Sequence, residues 1–259
     1  MNKQRLDKTI CSQGMLSRKE AKELIRRGQV TVNGRVEKQA DAAVDWDQDI
    51  VALSGAPLSL QQHVYLMLNK PAGVVSATED AAQTTVVDLV PPQLRRKGLF
   101  PAGRLDKDTT GLVILTDDGE FAHNILSPKK HVQKEYLAQV DGKITLEIIE
   151  AFRAGVNVNN EYTTLPSRLT VEQSLPQGDI GRVVLREGMY HQIKRMFRSF
   201  GLTVTQLHRV SIGNLLLDEA LLPGQCRPLT PQELEMVQQR EEISFSQGAI
   251  SPCERHFTL

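Results

Sequence analysis

The period of apolar and polar positions changes repeatedly along the 259-residue chain, and the changes mark its elements. Ser17-Arg18-Lys19-Glu20 has the form of a capping box, in which Ser17 accepts the Glu20 amide and Glu20 reaches back to Ser17. The helix it opens continues through Ala21, Leu24 and Ile25. It stops at Gly28, a residue that tolerates the left-handed conformation after a helix. Two β-rich runs then surround Asn33-Gly34, a strong hairpin signal. A strand is predicted over 64–69, closed by the turn Lys70-Pro71-Ala72-Gly73. Further strand-like runs fall at 111–116, 135–140, 168–171, 182–186, 203–207 and 212–217. Helical patterns fall at 120–126, 146–154, 191–200 and 231–239, the last opened by the capping box Thr230-Pro231-Gln232-Glu233. Strands and helices in this irregular order indicate an α+β fold with a mixed, mostly antiparallel sheet flanked by helices, not a doubly wound one. The expected division is a small unit at 1–57, a larger domain at 64–240 and a tail at 243–259 without clear period.

Composition narrows the class. Hydrophobic residues make up 40% and charged residues 24%, ordinary for a globular protein in water. Cys11, Cys226 and Cys253 are widely spaced, with no CxxC pair and no histidine cluster nearby. That argues against a disulfide framework and a zinc site and suits a reducing cytosol. No apolar run approaches the ~20 residues of a membrane span, and Met1-Asn2-Lys3-Gln4-Arg5 leads into a polar helix, not an apolar signal core. A cytoplasmic protein without membrane contact is expected. A monomer is expected as well, because no exposed heptad or apolar stripe demands a partner copy.

The formal net charge of zero conceals strong local imbalance. Residues 1–36 carry nine Lys/Arg against three Asp/Glu, and residues 181–210 carry six against one. Residues 37–62 and the end of the chain from Thr230 are acidic. Such a chain can present two basic faces to phosphate while neutral as a whole, although solvated surface charge gives the same pattern. In the first unit, Arg5, Lys8, Arg18, Lys19, Lys22, Arg26 and Arg27 recur at spacings that can share a helical face.

Helix, helix and hairpin with a basic face resembles the alpha-L RNA-binding module over about residues 5–52, through Arg5-Leu6-Asp7-Lys8 and Gln29-Val30-Thr31-Val32-Asn33-Gly34. A small helical unit that binds no RNA is the alternative. The resemblance implies RNA contacts from Arg5, Lys8, Arg18, Lys19, Lys22 and Arg26.

The stretch richest in candidate chemistry is Gly103-Arg104-Leu105-Asp106-Lys107-Asp108-Thr109-Thr110-Gly111-Leu112, directly ahead of a strand. Loop carboxylates commonly cap or turn, so the residues alone mark only a candidate site, and Asp108, Asp117 and Asp118 look like turn and cap residues. The same stretch resembles the signature of bacterial rRNA pseudouridine synthases. Companion segments follow in that family's order: Lys70-Pro71-Ala72-Gly73, Lys134-Glu135-Tyr136-Leu137 and Glu187-Gly188-Met189-Tyr190-His191-Gln192-Ile193-Lys194-Arg195-Met196. Within the family the chain is most similar to the small-subunit type that modifies 16S rRNA. Met189 departs from the pattern, standing where relatives usually carry Arg or Lys.

The resemblance implies an isomerase with no redox cofactor, metal or nucleotide, in keeping with a sequence that has no P-loop, GxGxxG or HExxH. Its substrate would be ribosomal RNA, 16S favoured, free or within a small-subunit assembly intermediate. Breaking a base–sugar bond leaves positive charge on the sugar, and a carboxylate at the anomeric carbon stabilises it. The resemblance gives that role to Asp106, by covalent attachment or by first removing a sugar proton. It makes Lys194 the cation that keeps Asp106 ionised, with Arg195 as the adjacent candidate. The two point about 100° apart on a helix, so one of them faces the site. The resemblance sets Tyr136 against the uracil and gives Arg104 the space vacated when the uridine is flipped out. A solvated or phosphate-binding helix face is the other reading of Arg195, core packing that of Tyr136, and helix-start or RNA-contact geometry the reading of His191. The same chemistry on 23S rRNA, or a non-catalytic rRNA-binding assembly factor, remains open. A glycosidase would need a second paired carboxylate, and Asp108 is the one near candidate.

Overall fold

The computed structural model describes residues 3–14, 16–45, 48–58, 60–127, 130, 132–239 and 243. Apart from Ile243, the tail expected at 243–259 lies outside the described residues. The chain forms two compact units, one of Met1–Tyr65 with Val90–Phe100 and Thr116–Asp118, the other of Leu66–Leu89, Pro101–Leu115 and Gly119–Leu259.

In the first unit, α1 (Leu6–Ser12) and α2 (Arg18–Arg26) are followed by short strands. The capping box at Ser17 and Glu20 is formed. Val30–Val32 pairs with Arg35–Val36 on one side and Val51–Leu53 on the other. The hairpin turns through Asn33 (φ 52°) and Gly34 (φ 79°), the two left-handed residues that a tight turn matched to strand twist requires. Leu6, Ile10, Ala21, Ile25, Val30, Val44 and Val51 close one small core. Each large aliphatic in it contributes about 1.5–3 kcal/mol by leaving water. Two segments inside the range 64–240 belong to this unit. They are tied in by Arg96, whose buried guanidinium donates to Gln13 Oε1 (2.7 Å) and the Gln61 carbonyl (2.6 Å) and lies 3.5 Å from Asp117.

The second unit is built on a mixed sheet in the order Arg168–Leu175, Gly178–Leu185, Lys134–Val140, Val204–Ile212, Thr110–Thr116, Tyr65–Lys70 and Cys226–Pro228. The central strands carry runs of consecutive buried apolar residues, Leu66-Met67-Leu68 and Leu112-Val113-Ile114-Leu115, as strands covered on both faces do. Val204–Ile212 pairs antiparallel with Lys134–Val140 and parallel with Thr110–Thr116. The helices are α3 (Gly119–Leu126), α4 (Leu146–Ala154), α5 (Gln192–Arg198) and α6 (Pro231–Gln238). Ile193, Met196 and Phe197 bury the inner face of α5, and the Phe197 ring meets Phe152 of α4 at 4.9 Å. That docking fixes the direction in which the outer face of α5 points.

Candidate active site

The loop between Ala102 and Thr110 is held from below by a lysine. Lys70 ends its strand wholly buried, and its ammonium donates to the carbonyls of Pro71 (3.0 Å), Lys107 (3.2 Å) and Thr109 (2.8 Å). Burial pushes its pKa down to about 8, although Asp108 and Asp106 pull the other way. Ser76 Oγ donates to the Leu105 carbonyl (3.0 Å) and accepts from the Leu105 amide (3.1 Å), clamping the residue before Asp106. Beyond the loop, Gly111 adopts φ +103°, and a Cβ there would lie 2.3 Å from the Arg209 carbonyl oxygen. Only glycine lets the two backbones approach this closely.

Asp106 thus projects from a rigid base, its side chain 28% exposed. Lys194 Nζ donates to Asp106 Oδ2 at 3.1 Å and to Asp108 Oδ1 at 2.6 Å. His191 Nε2 lies 3.4 Å from the other Asp106 oxygen. His191 caps the start of α5 and Lys194 lies in its first turn, so both side chains reach Asp106 from the N-terminal end of that helix. Burial works to lower the Lys194 pKa, but hydrogen bonds to Asp108 and Asp106 outweigh it and hold the group above its ordinary value. The same bond holds the Asp108 carboxyl below the usual range.

Tyr136 is 8% exposed and lines one pocket with Asp106, Arg104, Met189 and His191. The pairing of its strand with Val204–Ile212 shifts register between Glu135 and Tyr136, a bulge of the kind that re-aims a side chain. Arg209 sits behind the ring, its guanidinium carbon 5.9 Å from the centroid and Nη1 3.4 Å from the phenol oxygen, while Nε donates to the Leu112 carbonyl at 2.8 Å.

The expected residues are therefore distributed unevenly. Asp106, Tyr136, Lys194 and Arg104 meet at one place. Arg195 does not join them: it ion-pairs with Glu161 and lies over the Tyr162 ring at 5.2 Å, tying α5 to the hairpin Asn157–Val158 and Tyr162–Thr163. In the first unit, Arg5 and Arg18 each place Nε 3.1 Å from the fully buried Asp7 carboxylate, and Lys22 Nζ lies 3.9 Å away. Burial would raise the Asp7 carboxyl, and the two arginines hold it low instead. All three cations remain about half exposed, so Asp7 orders a positive face and does not neutralise it. Lys8 and Lys19 are exposed, and Arg26 pairs with Glu23. The sequence marks Lys70 only as the start of a turn and a companion motif, with no role, and it does not mark Ser76, Arg209 or the His191 contact with Asp106. The signals available were a lysine closing an apolar strand and a histidine one helical turn before Lys194.

The profile of the RNA pseudouridylate synthase family matches residues 64–199, more than half of the chain. The chain belongs to this family. It is a pseudouridine synthase, an isomerase, and its N-terminal unit matches the S4 domain over residues 4–50. It is 42% identical to an uncharacterised RNA pseudouridine synthase of Bacillus subtilis over 90% of this chain and 98% of that one. It is also 42% identical to the ribosomal small subunit pseudouridine synthase A of Escherichia coli, over 90% and 99%. A crystal structure of a pseudouridylate synthase superposes with a TM-score of 0.60 at 35% identity, covering 90% of this chain and 99% of that one. No described helix of the synthase is long and apolar enough to cross a membrane. Among its described residues no group of three or more His, Cys, Asp or Glu is placed to hold a metal ion.

Proposed function

We propose that the synthase converts a specific uridine of 16S rRNA to pseudouridine in the cytoplasm, acting as a monomer on free rRNA or a small-subunit assembly intermediate. The observation that carries the chemistry is the Asp106 carboxylate held at 3.1 Å by Lys194 in a pocket shared with Tyr136. The choice of 16S rests on the likeness to enzymes named for the small ribosomal subunit.

The target uridine is turned out of its stack and its base laid against Tyr136, while Arg104 takes the vacated space. Asp106 acts at the sugar. The C1′–N1 bond breaks, C1′ rejoins the base through C5, the C5 proton leaves and N1 gains one, so substrate and product are isomers. Positive charge that builds on the sugar as the bond breaks is stabilised by the carboxylate. Lys194 keeps Asp106 ionised after RNA has displaced water. Tyr136 supplies the stacking face and takes part in removing the C5 proton. The S4-type unit, through Arg5, Lys8, Arg18, Lys19, Lys22 and Arg26, grips the phosphate backbone, and Arg195 contributes to the RNA-facing side of the catalytic domain.

Carbodiimide labelling and primer extension on unmodified 16S and 23S rRNA treated with the synthase test this assignment. One new site on 16S rRNA supports it. A site on 23S rRNA alone moves the substrate to the large subunit. Tight binding without a site on either RNA, assembly intermediates included, makes the protein a binding factor.

A further inference from the structure

We propose that Tyr190 is a stacking platform for an unpaired nucleobase next to the target uridine in the same RNA strand. The cleft of about 460 Å³ beside it would then be a flanking-nucleotide subsite. This rests on the RNA-modifying reading given above.

Tyr190 is 71% exposed, yet its ring is not free to wander. It stacks on His191 with centroids 3.8 Å apart and planes 17° from parallel, so one face is used and the other is open. His191 is itself fixed. It holds a left-handed backbone (φ 50°, ψ 33°), uncommon for a residue with a side chain, its carbonyl accepts from Arg195 N at 2.9 Å, and its ring reaches Asp106. The loop that carries both rings is braced at each end. Gln192 Oε1 accepts from Met189 N (2.9 Å), and Glu187 accepts from Gln192 Nε2 and from the Leu165 amide (2.8 Å). Strain and hydrogen bonds spent on presenting an exposed aromatic face imply that something binds it.

The surroundings specify the ligand class. The cleft is lined by Tyr190 and His191 together with Arg104 and Lys107, both exposed cations. Asp80 also lines it, but its Oδ1 is engaged by the Ala82 and Gln83 amides at 2.9 Å. A planar platform and two cations in one cleft suit a nucleotide, with the base on the ring and phosphate at the charges. The cleft shares Arg104, Leu105, Asp106 and His191 with the pocket that contains Tyr136. The nucleotide that reaches it is therefore a neighbour of the one whose sugar meets Asp106. Through the Tyr190–His191–Asp106 chain, seating that neighbour also fixes the ring that touches the carboxylate, which makes Tyr190 a binding and positioning residue.

The test measures Kd for unmodified 16S and 23S rRNA transcripts by filter binding, and kcat and KM on the transcript that reacts. The proteins are full-length wild type, Tyr190→Ala, Tyr190→Trp and, as a control on exposed apolar surface in α4, Leu146→Ala. Tyr190→Ala is expected to weaken binding roughly ten- to a hundredfold, the effect of removing one base–aromatic stack, with KM rising more than kcat falls. Tyr190→Trp should restore binding, because it keeps a stacking face, and Leu146→Ala should match wild type. Wild-type affinity in Tyr190→Ala would overturn the proposal. So would a Tyr190→Trp protein as weak as Tyr190→Ala, since the ring would then serve the loop and not the base. The functional reading fails separately, if wild type binds rRNA and forms no pseudouridine, and the binding measurements then still decide the role of Tyr190.

Discussion

The Lys194 ammonium lies 3.1 Å from Asp106 and is shared with Asp108 at 2.6 Å, so one partly buried cation serves two carboxylates. Asp106 is 28% exposed, and an RNA bound over the loop would cover it. A bare carboxylate is disfavoured once water has gone, and the Lys194 charge 3.1 Å from Asp106 offsets that cost. Lys194→Met is expected to lower the single-turnover rate by about a hundredfold or more, the scale of losing one preorganised electrostatic partner. Lys194→Arg, which keeps the charge, should recover part of it. A Lys194→Met protein at the wild-type rate would remove the cation from the account.

Asp108 is a different case. Its side chain is 74% exposed, and its loss leaves the bond between Lys194 and Asp106 in place. Asp108→Asn should change the rate by no more than about fivefold, as expected for an exposed ion pair. Comparing it with Asp106→Asn separates the two carboxylates. Equal losses in both would mean that Asp108 also acts on the substrate.

Lys70 makes a prediction in pH. Its pKa is about 8 in the folded protein against an ordinary 10.5, because burial disfavours the ammonium. Lys134 is likewise lowered to about 8 by burial and by Arg209. Above that pH the unfolded chain holds protons that the folded one has released, so stability rises with pH until the unfolded lysines also titrate. Below it both forms are protonated and the whole cost of burying the charge is present. Tyr65 works oppositely above about pH 10, where the unfolded phenol ionises and the half-buried one in the fold does not. Guanidinium unfolding between about pH 8 and pH 10 should give a rising free energy in the wild type and a flatter line in Lys70→Met. Because Lys70→Met also leaves three carbonyls without their donor, the slopes are compared and not the absolute stabilities.

Gly111 joins the loop that carries Asp106 to the sheet at φ +103°, with the Arg209 backbone filling the place of a side chain. Gly111→Ala meets both a disfavoured conformation and a backbone clash. A loss on the order of 3 kcal/mol is expected, or roughly 10 °C in melting temperature. An unchanged melting temperature would mean that the strands separate more easily than their register implies.

The elements most legible in the sequence are those whose local signals agree with their burial. The helix predicted at 146–154 has those bounds, with Thr145 accepting the Ile148 amide and Gly155 ending it. The hairpin at Asn33-Gly34 and both capping boxes are likewise present. The apolar pattern misplaces strands where polar residues are internal. His208 and Arg209 interrupt the apolar pattern between the runs at 203–207 and 212–217. In the structure, Val204–Ile212 is one strand, and Arg209 is buried by donating to Leu112. Lys3–Arg5 gave no strand signal at all, being a charged stretch that pairs with Ala43–Asp45. Asp106, Tyr136 and Lys194 stand out through motif likeness, not periodicity, since nothing local distinguishes a candidate loop aspartate from a turn aspartate. The partners Lys70, Ser76 and Arg209 act through contacts between residues about 30 to 100 positions apart, which no local pattern records.

The central claim is that Asp106 performs chemistry at the sugar. Wild type and Asp106→Asn, which keeps the shape and removes the charge, are to be compared on the reactive rRNA transcript under single-turnover conditions. Both should bind with similar Kd, while pseudouridine forms with wild type and falls below detection with the variant. Pseudouridine formed by Asp106→Asn at a rate near that of wild type would contradict the account.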